Sequence, residues 1–201
     1  MDHNKSEIAT ISSDQRRIIS IAIDDELICL RGLSPQRHRF EIEYALERGS
    51  TVNTFLFKSC SDEPKNQQII LVHPPGDAYS EVFIPIITNH IPIQTNELLI
   101  IIGHVNPNRV AFLKKLAEIY TGIKLICSTP GAKLLKEIWH QKKPSKTEKQ
   151  NITSTKTIPI PEIIAIKKEK SITIGKNKII QLIATPTARW PGSLIVFEKN
   201  Q

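Results

Sequence analysis

The sequence lacks the segments that place a protein in or across a membrane. Its 201 residues contain no apolar run near the length of a bilayer span, which is about 20 residues. The first ten residues are polar and contain no apolar stretch like that of a secretory signal. We therefore expect no membrane insertion and a cytoplasmic location.

The motifs of several common enzyme classes are also missing. The sequence has no G-x-S-x-G, no G-x-G-x-x-G and no P-loop, so it indicates neither a hydrolase nucleophile elbow nor a nucleotide site. The three cysteines, Cys29, Cys60 and Cys127, are far apart, and no C-x-x-C motif is present. This pattern argues against a zinc site and against a disulfide framework.

Aromatic residues are scarce, at 5%, and the positive charge is concentrated in one part of the chain. Twelve lysines and four acidic residues lie between Lys133 and Lys178, an excess larger than the net charge of +7. That block has no arginine and a single aromatic residue, Trp139. Specific nucleic-acid surfaces use arginine for bidentate base contacts and aromatic rings for stacking. The block therefore predicts a solvated, lysine-rich loop over 142–158 and no specific nucleic-acid site.

Apolar periodicity and turn residues predict a mixed α/β chain. We expect a flexible tail over 1–16 and one domain over 17–201, in which strands precede and follow a unit of alternating strands and helices. The predicted strands are 18–23, 27–30, 38–46, 51–58, 69–73, 98–102, 123–127, 163–166, 171–174, 178–184 and 193–197. The predicted helices are 78–89, 108–120 and 130–142. The unit over 98–127 predicts a parallel pair of strands joined by a helix.

A short polar loop follows the predicted strand at 98–102 and reads Gly103-His-Val-Asn-Pro-Asn-Arg109. Aligned on His104, it resembles the His-x-Glu-x-Asp-His metal-binding loop of the flavodiiron proteins. The resemblance places Asn106 and Asn108 at carboxylate positions and Arg109 at the position of the second histidine. Asparagine is a poor neutral substitute for a carboxylate, and arginine has only donors and a permanent positive charge.

Further segments carry the same resemblance. In Ala184-Thr-Pro-Thr-Ala-Arg-Trp-Pro-Gly-Ser-Leu194, Arg189 stands where the flavodiiron proteins have a ligand histidine before Trp-Pro-Asp-Ser. Segments 40–56, 69–77 and 127–132 resemble parts of the same domain in the cyanobacterial diflavin flavoproteins, in an atypical, ligand-depleted form.

The resemblance implies a metallo-β-lactamase-like αββα sandwich, an α/β (α+β) fold. We expect an incomplete sandwich, because the chain ends at Gln201 before the later ligands and the second helix layer of the family. The flavodoxin-like domain that carries FMN in the family is also expected to be absent.

The family transfers electrons from NAD(P)H or a photosynthetic donor, through FMN, to oxygen at a diiron site. Of its ligand set only His104 remains here, so we expect no cofactor on this chain and no oxygen reduction by it alone. The implied partner is a second copy or a competent flavodiiron paralogue. Two alternatives are a non-catalytic interaction module, acting through an exposed strand edge and the lysine-rich loop, and a metal-dependent hydrolase, against which the altered ligand positions also argue.

The two arginines at former ligand positions need partners. Arg109 at the start of a helix is unfavourable to the helix dipole, which indicates a specific partner for its side chain. If Arg109 and Arg189 share the former metal pocket, we expect salt bridges or a small anion such as chloride to hold them, because buried charges are costly unpaired. His73, at the end of the preceding strand, is interpreted as a structural residue.

Overall fold

The computed structural model of the protein describes most of the chain. The described residues are 7–9, 15–37, 39–40, 43–44, 47–60, 67–141, 158–175, 178–187 and 189–199. The segment predicted as a lysine-rich loop lies outside these residues, apart from Ile158.

Thirteen strands, three α-helices and one short 3₁₀ turn are described. The strands are β1 Glu7–Ala9, β2 Arg17–Ala22, β3 Leu27–Ser34, β4 Arg39–Phe40, β5 Glu43–Tyr44, β6 Ser50–Lys58, β7 Ile69–Val72, β8 Leu98–Ile101, β9 Ile123–Ser128, β10 Glu162–Ile166, β11 Glu169–Ile174, β12 Lys178–Ala184 and β13 Leu194–Glu198. The helices are α1 Ser80–His90, α2 Pro107–Ile119 and α3 Thr129–His140, and the 3₁₀ turn is Asp77–Tyr79.

Eight strands form one mixed sheet in the order β1-β2-β3-β6-β7-β8-β9-β10. The pairs from β1 to β7 are antiparallel, and β7, β8, β9 and β10 run parallel. All four residues of β7 are buried, which is typical of a parallel strand covered on both faces. The predicted parallel pair, β8 and β9, is confirmed.

The two faces of this sheet have different coverings. Along β7, Ile69 and Leu71 pack in a core that includes residues of α1, α2 and α3. Ile70 and Val72 pack in a second core with residues of the three-stranded antiparallel sheet β11-β12-β13. Each buried aliphatic side chain of this kind stabilises the fold by about 1.5–3 kcal/mol. The helices therefore cover one face and the small sheet covers the other.

Two regions differ from the predicted elements. The single strand predicted over 38–46 is replaced by β4 and β5, which pair with each other. Within the segment predicted as a flexible tail, β1 pairs antiparallel with β2, with Ile8 opposite Ile19. Strands of two or three residues are too short to show a period of two in the sequence.

The topology places several loops at one edge of the large sheet. Because β7, β8 and β9 are parallel, their carboxyl ends lie at the same edge, where α/β proteins commonly bind ligands. The loops that leave this edge begin at His73 and Ile102, and α3 begins directly after β9 at Thr129. Among the described helices, none has both the length and the apolar character that a membrane crossing requires.

Candidate functional site

Asn106 is the N-cap residue of α2. Its backbone is extended, with φ −149° and ψ 163°, and its side-chain oxygen accepts a hydrogen bond of 2.9 Å from the backbone N–H of Arg109. Pro107 follows at the first helical position, where the fixed φ of proline suits a helix and its missing N–H is not needed. The asparagine at the expected carboxylate position therefore begins a helix.

Arg109 extends from the first turn of α2 towards the loops that follow β7 and β8. Its Nε donates a hydrogen bond of 2.7 Å to the carbonyl oxygen of Pro74, and its Nη1 donates to the carbonyl oxygen of His104. Burial lowers the pKa of the guanidinium from its ordinary value. The partners described for Arg109 are thus main-chain carbonyl oxygens, which supply the specific partner that its position at a helix start predicted.

His73 lies beside this arginine and has an unusual backbone conformation. Its φ is +55°, which is uncommon for a residue with a Cβ atom. Its Nδ1 accepts a hydrogen bond of 3.1 Å from the backbone N–H of Gly103, and its carbonyl oxygen accepts one of 2.9 Å from the hydroxyl of Thr54. Burial and the positive charge of Arg109 lower the pKa of His73 to about 4. The imidazole is therefore neutral at physiological pH and serves as an acceptor.

His104 packs against the turn between β12 and β13. Its ring and that of Trp190 make an edge-to-face contact, with 4.4 Å between centroids and 84° between planes. On Trp190 lies the guanidinium of Arg189, 5.3 Å from the ring centroid. Arg189 is exposed, whereas His104 and Trp190 are half-buried. The two arginines therefore have different described partners. Arg109 donates hydrogen bonds to main-chain carbonyl oxygens, and Arg189 stacks on the indole ring of Trp190.

A second pair of loops joins at the amino end of α3. The Ser128 hydroxyl accepts a hydrogen bond of 3.2 Å from the N–H of Gly131 and donates one of 2.9 Å to the carbonyl oxygen of Gly192. A Cβ atom on Gly192 would lie 3.1 Å from the Cα of Gly131, so these two backbones are in close contact. Two of the segments that carry the family resemblance, 127–132 and 184–194, thus pack against each other.

Asn108 faces a different part of the surface. It is exposed and, with Asp77 and Lys115, lines a groove of about 460 Å³ beside α2. A Cβ atom on Gly76 would lie 3.3 Å from its Cβ. The Asp77–Lys115 ion pair, at 2.7 Å, spans part of this groove. The sequence-predicted site residues therefore lie in three places. His104, Asn106 and Arg109 lie at the loop after β8 and the start of α2, Arg189 lies over Trp190, and Asn108 faces the groove beside α2.

The sequence pattern did not reveal Ser128, nor the contact by which His73 organises this region. His73 was interpreted as structural, and the strand before Pro74 was its only local signal; its contact with Gly103 spans 30 residues. Ser128 could have been found as a helix N-cap, since Pro130 and Gly131 follow it.

Comparisons with known proteins connect this geometry to a family. A diflavin flavoprotein of Nostoc sp., named A 6, is 29% identical over 183 residues, which are 91% of this chain and 28% of that protein. The crystal structure of fragment 1–254 of Nostoc sp. diflavin flavoprotein A 5 has a TM-score of 0.72 at 24% identity, over 91% of this chain and 63% of that one. The metal-soaked Flv1 flavodiiron core of Synechocystis sp. also has a TM-score of 0.72, at 25% identity, over 92% and 40%.

Fold and sequence together relate this chain to the flavodiiron proteins. No protein-family model matches the chain. The predicted metallo-β-lactamase-like fold is confirmed for this flavodiiron-type core by the structural similarity. The chain spans less than a third of the length of the curated relatives it matches.

The expectation that the chain takes no cofactor is wrong. It was drawn from four altered positions and from the end of the chain before the later ligands, whereas the solved structures that it resembles include a metal-soaked flavodiiron core. The chain therefore shares its fold with a core that is named flavodiiron.

The described donor set nevertheless differs from the one iron prefers. No group of three or more histidine, cysteine, aspartate or glutamate side chains gathers in the part of the chain that the structure describes. Arg109 brings a permanent positive charge and donors only. These described residues by themselves do not fit a two-iron centre.

Proposed function

We propose that this chain is the core part of a flavodiiron-type oxidoreductase and works in an assembly with a competent flavodiiron paralogue. The reaction is that of the family, in which electrons pass from NAD(P)H or a photosynthetic donor, through FMN, to oxygen. The similarity in fold and sequence supports the oxidoreductase assignment.

One observation carries the proposal that this chain does not reduce oxygen alone. The guanidinium of Arg109 lies in the loop that resembles the metal-binding loop, and it donates to the carbonyl oxygens of Pro74 and His104. A unit charge about 4 Å from a divalent ion costs roughly 8 kcal/mol at an effective dielectric near 20. We therefore assign oxygen reduction in the assembly to the competent paralogue.

Oxygen uptake with NADPH tests this proposal. The chain alone, a competent diflavin flavoprotein alone and an equimolar mixture are compared, and iron and flavin contents are measured for all three. We expect no uptake from the chain alone and a rate or apparent KM for the mixture that differs from that of the paralogue. Oxygen uptake by the chain alone overturns the proposed dependence on a partner. A mixture with the same rate and apparent KM as the paralogue alone overturns the proposed assembly.

A second candidate is a non-catalytic interaction module, and exposed apolar side chains on β13 favour it. Ile195 and Phe197 are 52% and 54% exposed, and β13 is an edge strand of the small sheet. An apolar edge of this kind favours pairing with another chain, either a second copy or the paralogue.

Native mass and co-purification test whether this edge is the interface of an assembly. The double variant Ile195→Ser and Phe197→Ser removes the apolar edge, and Ile93→Ser, at a residue 58% exposed outside the small sheet, is the matched control. If the edge binds a partner, the double variant alone loses the assembly. Equal assembly in both variants excludes the edge as the interface.

A further inference from the structure

The side chain of Arg109 is the point at which three elements meet. It belongs to α2, and its Nε and Nη1 donate to the carbonyl oxygens of Pro74, after β7, and His104, after β8. A guanidinium offers several donors in a rigid plane, so it can hold two acceptors at a fixed separation. A lysine ammonium at the same place has no such fixed geometry.

The same loop also connects to the small sheet. The carbonyl oxygen of Gly103 accepts a hydrogen bond of 3.1 Å from the backbone N–H of Leu194. The imidazole of His104 meets the ring of Trp190 edge-on at 4.4 Å. The position of the His104 main chain therefore determines where its ring meets the small sheet.

We propose that Arg109 is the positioning residue of this site, and that its guanidinium sets the His104 ring against Trp190. Without it, the carbonyl oxygens of Pro74 and His104 lose a shared donor, while the hydrogen bonds of Gly103 and the Asn106 cap remain. Truncating the side chain leaves the carbonyl oxygens of Pro74 and His104 as acceptors for a free guanidinium ion. This inference goes beyond the proposed function and does not depend on it, because it concerns loop geometry rather than oxygen reduction.

The indole N–H resonances of the two tryptophans test this proposal, one as the probe and the other as the control. The chain has two tryptophans. Trp139 lies on α3 and donates through Nε1 to the carbonyl oxygen of Ile158, away from the loop after β8. In Arg109→Ala we expect the indole N–H resonance of Trp190 to shift and that of Trp139 to stay. We also expect the amide hydrogen of Leu194, which is bonded to Gly103, to exchange roughly ten- to a hundredfold faster. The reason is that the loop after β8 loses the charge-assisted hydrogen bond from Arg109 to His104.

Chemical rescue separates positioning from general loss of structure. Millimolar guanidinium chloride is expected to return the Trp190 resonance and the Leu194 exchange rate of Arg109→Ala towards the wild-type values, whereas methylammonium chloride at equal ionic strength is not. Arg109→Lys is expected to resemble Arg109→Ala, since it keeps the charge without the planar donors. The control variant Lys114→Ala removes the cation 5.7 Å from the Trp139 ring and should move the Trp139 signal alone.

An unchanged Trp190 resonance in folded Arg109→Ala overturns the proposal, and so does rescue by methylammonium as efficient as by guanidinium. If the alanine variant does not fold, Arg109→Lys decides the question by the same resonances, and wild-type signals in that variant overturn the proposal. Oxygen uptake does not enter these measurements, so failure here leaves the proposed function standing.

Discussion

The backbone N–H of Gly103 donates a hydrogen bond of 3.1 Å to Nδ1 of His73 and thereby joins the loops that follow β7 and β8. The contact is close enough to require glycine. A Cβ atom at position 103 would lie 1.8 Å from Cε1 of His73. Two hydrogen bonds fix the left-handed backbone of His73, which has a φ of +55°. Its N–H donates to the carbonyl oxygen of Ile101, and its carbonyl oxygen accepts from the hydroxyl of Thr54.

Replacing Gly103 by alanine should destabilise the fold. The new methyl group must displace the imidazole, so overpacking and the lost hydrogen bond together are expected to cost about 2–4 kcal/mol. Gly76→Ala is the matched control, because its Cβ would lie 3.3 Å from Asn108 and needs only a small adjustment. Urea unfolding of both variants measures the difference, and equal midpoints would refute the close contact.

The stability of the protein should fall in mildly acidic solution because of His73. Its pKa is about 4 in the folded chain and 6.5 in the reference state, so between these values the unfolded chain binds more protons. Stability is therefore fully present above about pH 6.5 and decreases as the pH falls towards 4, by up to about 3 kcal/mol.

Unfolding of His73→Gln measured from pH 7 to pH 4 checks this dependence. The variant should lose most of the slope over that range, whereas His140→Gln, at an exposed end of α3, should keep it. A wild-type slope in His73→Gln would show that another group is responsible.

Ser128→Ala should weaken the junction between the two loops at the amino end of α3. The variant loses both the helix cap to Gly131 and the hydrogen bond to Gly192, and we expect a cost of about 1–2 kcal/mol. Ser171→Ala, at an exposed position of β11, is the control. Thermal unfolding measures both, and a Ser128→Ala midpoint equal to that of the control would contradict the assigned contacts.

Lys178 links the two sheets away from the candidate site. Its Nζ lies 2.7 Å from Oδ2 of Asp24, in the turn between β2 and β3, and 3.1 Å from Oε1 of Glu198, in β13. The Lys178 and Glu198 side chains are 12% and 11% exposed. Burial acts to raise the pKa of Asp24, and the hydrogen bond from Lys178 acts to lower it. The pKa of Asp24 lies below its ordinary value as a net result.

Lys178→Ala should therefore cost about 1–3 kcal/mol, because the carboxylates of Asp24 and Glu198 both lose the ion pair with Lys178. The matched control is Lys124→Ala, whose partner Glu97 is half exposed, and we expect a cost below about 1 kcal/mol. The difference between the two variants in urea unfolding should shrink as the carboxylates are protonated at low pH. Equal losses at neutral pH would show that the link between the sheets contributes no more than a surface pair.

Several elements could be predicted from local sequence. The apolar run in β7, the start of α2 at Asn106 and Pro107, and the start of α3 before Gly131 each depend on residues a few positions apart. Strand and helix periods and N-cap residues act over the same short range. The long strands and helices were accordingly predicted within two residues at each end, except that β3 extends four residues beyond its predicted end. The strand β1 and the β4–β5 pair were not predicted.

The sequence was sufficient for the long strands and helices and for the resemblance to the flavodiiron proteins, since both rest on short continuous segments. What the altered residues do depends on the tertiary structure. Arg109 reaches a carbonyl oxygen 35 residues away, His73 an amide 30 residues away, and Ser128 a carbonyl oxygen 64 residues away. Such partners depend on which parallel strands end side by side and on where the small sheet packs. Those are properties of the folded chain, because loop closure brings together residues that no local pattern connects.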